Sequence, residues 1–345
     1  MAGPPLRSPA PTVLFVDQDL ALDRTAKPVF KGGEVTSCGA GCSFGATLSM
    51  VRERAPSVIV MDFGSGSRDG VAVIEAIMAE KPTPILVLHR AGTPRDDVFR
   101  ALDRGALDMM DWPERADAGF WAEFARRLVL LSQVRVVQHV RGKKRRRVPA
   151  KADDGKPPFP LVAIASSLGG PKALSSMLAA LPKSFPAPVL VCQHISTGFT
   201  EGLARWLSSS TAMAVVEAVD GAVMSAGTVY VAPSGAHLKV GPGATLMLDD
   251  GPALMGFRPS CDALLSSAAE LFQKRAIGVI LTGMGRDGAL GLREIRQRGG
   301  RTIAQDEASC VVFGMPREAI ALGAAEEVLP LAEIAVALLR LVKEC

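Results

Sequence analysis

A chain of 345 residues is about twice the length of an ordinary domain, which predicts two domains. Its 48% hydrophobic and 21% charged residues can fill ordinary cores and do not describe a disordered or fibrous chain, and the net charge of +4 comes largely from one run, Lys143 to Arg147. No apolar run reaches the length of a membrane span and the start, MAGPPLRSPAP, lacks the apolar core of a signal peptide, so a cytoplasmic protein without membrane insertion is expected.

From the N-terminus, the runs TVLFVD, EVTSC, PSVIVMD, PILVLH and ALDMMD alternate with helix-like stretches. Short apolar strands separated by crossover helices predict a doubly wound parallel α/β sheet over residues 11–135. Ligands of such sheets gather at the carboxyl ends of the strands. Asp17 and Asp62 stand at two of those ends, and two converging carboxylates could hold Mg²⁺, which takes hard oxygen ligands. Residues 136–157 carry the basic run together with prolines and glycine and show no hydrophobic period, as expected of a solvated linker and not of a nucleic-acid-binding segment. The six cysteines, Cys38, Cys42, Cys192, Cys261, Cys310 and Cys345, form no C-x-x-C pair. Reduced packing residues are the simplest account of them.

Over residues 158–345 the alternation resumes, with PLVAIAS, PVLVCQH, GTVYVAP, AIGVILTG and RTIAQD as strands and PKALSSMLAAL, TEGLARWL, CDALLSSAAELF and DGALGLREIRQRG as helices. A second doubly wound α/β domain follows. AHLKVGPGATLMLDD, with alternating runs around Gly-Pro-Gly, predicts a β-hairpin in or attached to that sheet. Three strand ends carry reactive groups: Ser167 before a helix beginning near Pro171, His194 closing PVLVCQH, and Asp287 in the glycine-rich turn after AIGVILTG. A hydroxyl needs a base to become a nucleophile, and the base needs a carboxylate to fix its tautomer, so the three suit a serine hydrolase. Each has a plain structural alternative: Ser167 as a helix cap, His194 as a hydrogen-bonded core residue, Asp287 as a cap. The order Ser, His, Asp and the lack of G-x-S-x-G set the chain apart from the α/β-hydrolases. Gly283 to Gly288 also satisfies G-x-G-x-x-G, with Asp306 at the end of the next strand, which supports a rival reading as an NAD-dependent oxidoreductase. Too few residues follow that motif to complete a dinucleotide-binding sheet.

IASSLGGPKAL, VCQHISTGFTEGLARWL, VYVAPSGAHLKV, RPSCDALLSSAA and GVILTGMGRDGALGL, in this order, resemble the catalytic domain of the chemotaxis methylesterase family, CheB. The N-terminal pattern, with GALDMMDWP near its end, resembles the receiver domain that forms the regulatory half of the same family. The resemblance implies hydrolysis of glutamate γ-methyl esters, with deamidation of glutamine at the same sites, on cytoplasmic helices of chemoreceptors, and a CheA-type histidine kinase as a further partner. It puts the nucleophile on Ser167, the base on His194, the orienting aspartate on Asp287, the oxyanion-binding backbone N–H on Met284, and a cleft-lining arginine on Arg258. It implies no cofactor for catalysis. Ser166 and Leu168 stand where the family has alanine-serine-threonine around its nucleophile, which leaves Ser166 as a lesser candidate nucleophile and an adaptor without catalysis as the alternative function.

In the receiver half, Asp62 falls on the phosphoacceptor, but the supporting positions read Asp17-Gln18, His89 and Trp112-Pro113 where receivers carry an acidic pair, a threonine or serine, and a lysine before proline. Asp19 could replace the missing acid in part. A receiver degenerate in phosphorylation, with a weakened claim on Mg²⁺, is the expectation.

Overall fold

The computed structural model describes residues 10–17, 21–26, 30, 35–63, 70–90, 93–134, 136 and 159–344. Most of the expected linker, and with it Gln18 and Asp19, lies outside them. Contacts divide the chain into two compact units between residues 140 and 141.

In the first unit, β1 (Thr12–Val16), β2 (Thr36–Gly41), β3 (Val58–Asp62), β4 (Ile85–His89) and β5 (Asp108–Asp111) form a parallel sheet in the order β2-β1-β3-β4-β5. This is the strand order of the flavodoxin-like folds, with the reversal between β1 and β3. The helices are α1 (Ala21–Ala26), α2 (Phe44–Arg54), α3 (Gly70–Glu80), α4 (Arg95–Asp103) and α5 (Ala118–Ser132). The inner strands are unbroken apolar runs because helices cover both faces, and β4 is buried along its whole length. Ser43 and Asp117 start α2 and α5 by accepting the orphan amides of Ala46 and Phe120.

The second unit holds a seven-stranded sheet in the order β14-β13-β12-β6-β7-β9-β8, parallel throughout. Its elements run β6 (Leu161–Ser166), α6 (Gly170–Ala179), β7 (Val189–Gln193), α7 (Thr200–Ser210), β8 (Ala214–Glu217), β9 (Thr228–Val231), then β10 (His237–Gly241) and β11 (Thr245–Asp249). They continue with α8 (Cys261–Phe272), β12 (Ala276–Ile280), α9 (Ala289–Gln297), β13 (Arg301–Gln305), α10 (Met315–Ala321), β14 (Glu327–Leu329) and α11 (Leu331–Glu344). β10 and β11 form the expected hairpin, but as a separate antiparallel sheet. It attaches through side chains: Leu238, Val240 and Leu246 join the core with Leu264, Leu265 and Ala268 of α8, and Val240 N–H donates to Ser267 Oγ at 3.0 Å.

β6 lies at the centre, with β7 on one side and β12 on the other. From β6 the chain adds β7, then the edge strand β8 and β9 between the two, and returns to add β12, β13 and β14 on the opposite flank, so the topological switch point falls beside β6. Helix α8 is drawn close to this point by α9. A Cβ at Gly291 would stand 2.6 Å from Leu265 Cβ and 3.0 Å from the Asp262 carbonyl oxygen, so only glycine permits this approach.

Candidate active site

Ser167 follows β6, His194 follows β7, and Asp287 lies in the loop after β12, so all three gather at the carboxyl edge around the switch point. β6 and β7 pair in parallel up to Ser166 and Gln193, which brings the next residue of each, Ser167 and His194, to adjacent strand ends. His194 N–H donates to the Ser166 carbonyl at 2.9 Å, and Ser167 N–H to the Thr282 carbonyl at 3.1 Å. The buried Gln193 amide ties the turns together by donating to both the Ser167 and His194 carbonyl oxygens at 2.7 Å. Ser166 points the other way, into the core, where its hydroxyl meets Gln193 Oε1 at 2.6 Å. Ser167 is also buried, at 8% exposure, but its hydroxyl makes no hydrogen bond among the described residues.

The capping alternative for Ser167 does not hold. The N-cap of α6 is Gly169, in a left-handed conformation with φ of 76° and no side-chain cap, and Pro171 occupies the first turn. The Ser167 hydroxyl is therefore not spent on helix amides.

His194 Nε2 and Asp287 Oδ2 are 2.9 Å apart. The Asp287 carboxylate also sits on the start of α8, where Cys261 N–H and Asp262 N–H donate to it at 2.7 and 2.9 Å and the Ser260 hydroxyl at 2.8 Å. A helix N-terminus favours an anion through its unsatisfied amides and dipole. Burial raises the Asp287 pKa, but His194 and these amides outweigh it and hold the carboxyl below its ordinary value. For His194, burial pulls the pKa down while the Cys261 sulfur and the Asp287 carboxylate push it up, and the net direction is upward. Burial drives the Cys261 thiol well above its ordinary value, so it is neutral at neutral pH and the charge facing the imidazole is that of Asp287. With Nε2 on the carboxylate, the buried Nδ1 has no hydrogen-bond partner. A buried unsatisfied nitrogen costs about 1–3 kcal/mol. Among the described residues that nitrogen is the ring position left unpaired.

Phe257 carried no signal of its own in the sequence. Its ring stacks on the imidazole of His194 with centroids 3.9 Å apart and planes within 3°. Phe257 ends a tight turn in which Leu254 and Phe257 exchange backbone hydrogen bonds of 3.0 and 2.9 Å. Arg258 is exposed and clasps the same loop, donating from Nη1 to the Asp250 and Gly251 carbonyl oxygens at 3.0 and 3.1 Å. Spatial neighbours separated by sixty residues leave no local sequence signal, and Arg258 alone marked this loop in the sequence.

The loop after β12 accounts for its glycines without a nucleotide. A Cβ at Gly283 would fall 2.8 Å from Ser167 Cβ and 2.3 Å from Met315 Sδ, so the first glycine of the motif packs the loop onto Ser167 instead of opening toward a pyrophosphate. Asp306, the would-be ribose ligand, accepts from Ser309 N–H at 3.0 Å and the Ser309 hydroxyl at 2.5 Å. The oxidoreductase reading thereby loses its support. Gly283 N–H donates to the Val312 carbonyl and the Gly283 carbonyl accepts from Gly314 and Met315, while Met284 N–H makes no hydrogen bond among the described residues.

In the first unit, Asp17 Oδ2 accepts from Ala21 N–H and Leu22 N–H at 2.8 and 2.9 Å and so caps α1. Asp62 Oδ2 receives the Arg90 guanidinium through Nε at 2.9 Å and Nη2 at 2.8 Å, and Arg90 lies over the Trp112 ring at 5.7 Å. His89 Nε2 faces Asp111 Oδ1 at 3.0 Å, and burial lowers its pKa. Among the described residues, one oxygen of each carboxylate is therefore engaged within the chain. A cation already occupies an Asp62 oxygen, and an Asp17 oxygen is spent on amides.

A hydroxyl, an imidazole and a carboxylate at the switch point of an open parallel sheet make an arrangement of the hydrolase class, here on a chain whose other unit has the receiver strand order. Residues 162–338 match the family described as CheB methylesterase, and the chain belongs to that family. It is 52% identical over 323 residues to the protein-glutamate methylesterase FrzG of Myxococcus xanthus, covering 93% of this chain and 95% of that protein. It is 46% identical over 320 residues to a protein-glutamate methylesterase/protein-glutamine glutaminase of Anaeromyxobacter dehalogenans, covering 92% and 91%. Among solved structures, the CheB methylesterase catalytic domain of Thermotoga maritima superposes with a TM-score of 0.53 at 42% identity, covering 53% of this chain and 99% of that one. No helix among the described residues is long and apolar enough to cross a membrane.

Proposed function

We propose that the chain hydrolyses glutamate γ-methyl esters on the cytoplasmic helices of chemoreceptors, and deamidates glutamine at such sites, with Ser167 as nucleophile, His194 as base and Asp287 as its orienting partner. The observation that carries this reading is the His194–Asp287 contact of 2.9 Å, which leaves a buried, partnerless Nδ1 at the strand end beside Ser167. Ser167 Oγ attacks the ester carbonyl as its proton passes to Nδ1. Asp287 stabilises the imidazolium that forms. The negative oxygen of the tetrahedral intermediate is met by the Met284 N–H, a preoriented donor of a kind worth about 2.7–4 kcal/mol of barrier lowering. The imidazolium then protonates the leaving methoxide, or the leaving amine of a glutamine, so that methanol or ammonia departs and an acyl-Ser167 ester remains. Water, deprotonated by the same Nδ1, releases the glutamate. Phe257, stacked on His194, and the exposed Leu254 and Met255 of the same turn offer an apolar rim on which a receptor helix rests, with Arg258 at its edge.

Methanol release from a methylated chemoreceptor fragment tests the proposal. The intact chain should release it and Ser167→Ala should not, whereas Ser166→Ala should retain activity if it folds. No release by the intact chain would overturn the esterase reading in favour of an adaptor.

The receiver unit is read as one that does not switch by phosphorylation. Arg90 holds one oxygen of the acceptor Asp62, helix amides hold one of Asp17, and a neutral His89 stands where receivers use a hydroxyl.

A further inference from the structure

The reaction proposed above uses neither Cys192 nor Cys261. Cys192 lies near the end of β7 and Cys261 opens α8; both are fully buried, and with His194 they form a cluster in which one ligand atom from each residue lies within 4.8 Å of the others. Cys261 Sγ is 3.6 Å from His194 Nε2. Zinc binds thiolate sulfur at about 2.3 Å and imidazole nitrogen at about 2.0–2.1 Å in a tetrahedron, which sets two such ligands about 3.6 Å apart. The separation seen between Cys261 and His194 is therefore already that of two ligands of one ion. The Asp287 carboxylate, hydrogen-bonded to the same Nε2 at 2.9 Å, gives up that contact when the ion binds. Two sulfurs and an imidazole form a soft set that selects zinc-class ions over Mg²⁺ or Ca²⁺.

We infer that Cys192, His194 and Cys261 form a binding site for a soft divalent ion of the zinc class, and that its occupation switches the enzyme off. Binding forms two metal–sulfur bonds and one metal–nitrogen bond, and the two thiol protons pass to solvent. The imidazole hydrogen that faced Asp287 moves from Nε2 to Nδ1. A ring metallated at Nε2 thus carries its hydrogen on the atom that must accept the Ser167 proton, and it can no longer act as the base. Because ligands must lose protons, affinity rises with pH. Binding rests on the ligand set alone, whereas inhibition rests on the triad proposed above.

The test uses the full chain, reduced and freed of metal, titrated with Co²⁺. A thiolate-to-cobalt charge-transfer band and tetrahedral ligand-field bands should saturate at one equivalent, disappear when Zn²⁺ is added, and be lost in both Cys192→Ser and Cys261→Ser while surviving in Cys310→Ser. X-ray absorption of the zinc-loaded wild-type chain, which needs no variant, should show two sulfur ligands. Zn²⁺ should lower methanol release at least tenfold, reversibly with a chelator, and should inhibit Cys192→Ser far less. Absence of the charge-transfer band, its persistence in both cysteine variants, or a zinc shell without sulfur overturns the site. A chain that binds the ion with these signatures but never releases methanol overturns the esterase reading and leaves the metal site standing.

Discussion

Phe257 and Asp287 act on one imidazole from different directions. Asp287 fixes the ring from its edge and raises its pKa; Phe257 covers one face at 3.9 Å. Asp287→Asn keeps the size of the side chain but removes the charge and permits the wrong tautomer, a change that costs on the order of 10⁴-fold in turnover in a hydrolytic triad. The sign of the accompanying pH effect is fixed. The base must be neutral, the carboxylate favours the protonated ring, and its loss lowers the pKa, so the His194 ring signals followed by NMR should titrate at lower pH in Asp287→Asn than in the wild-type chain. Phe257→Leu removes the stacked face, and an aromatic pair is worth about 0.5–1.5 kcal/mol beyond its area, so kcat should fall by up to about tenfold while Phe257→Tyr retains most of it. The three triad candidates were legible because reactive side chains at strand ends beside glycine are rare and the topology of a parallel sheet says which ends converge. Phe257 and the α8 amides were not, since their contact with His194 and Asp287 exists only after folding.

At the scale of elements, the sequence patterns found the buried strands and missed β8 and β14. Both are short edge strands, AVVE and EVL, with exposed positions, so neither carries the burial on both faces that marks the interior strands. The hairpin was legible from its turn chemistry, but its separation from the main sheet was not, because attachment through Leu238, Val240 and α8 is a matter of packing and not of local pattern. The turn after β6 depends on glycine for a reason of close approach. A Cβ at Gly170 would stand 1.9 Å from Gln193 Oε1 and 2.9 Å from Ser166 Cβ. Gln193 cannot easily retreat, since its amide holds the Ser167 and His194 carbonyls and its oxygen meets the Ser166 hydroxyl. Gly170→Ala should therefore destabilise the second unit by about 1–3 kcal/mol, the usual cost of overpacking, and denaturant melts would read it as a lower midpoint. The same substitution should depress kcat more than KM, because it displaces the turn that carries Ser167.

Across the whole molecule, the two units share an architecture and differ in what stands at their carboxyl edges. Among the described residues, the second unit's His194 Nδ1 has no partner, whereas at the first unit's edge Asp62 pairs with Arg90 and His89 with Asp111. Arg90 sits between Asp62 and Trp112, joining an ion pair to a cation–π contact. An arginine fork matches a carboxylate in geometry and stays charged at any working pH, so a divalent ion must displace it before it can use the same oxygen. Phosphoryl transfer to Asp62 would then lack the ion that neutralises the incoming charge. The full chain should accordingly take no stable label from a small phosphodonor in the presence of Mg²⁺, and methanol release should be the same with and without the donor. Mg²⁺ should also leave the fluorescence of the wild-type chain unchanged, whereas Arg90→Ala, which removes the guanidinium from Asp62 and uncovers Trp112, should make that fluorescence respond to Mg²⁺. Label that forms on the wild-type chain and is lost in Asp62→Asn would show instead that Arg90 serves the acceptor as the missing lysine does elsewhere, and that the first unit still switches.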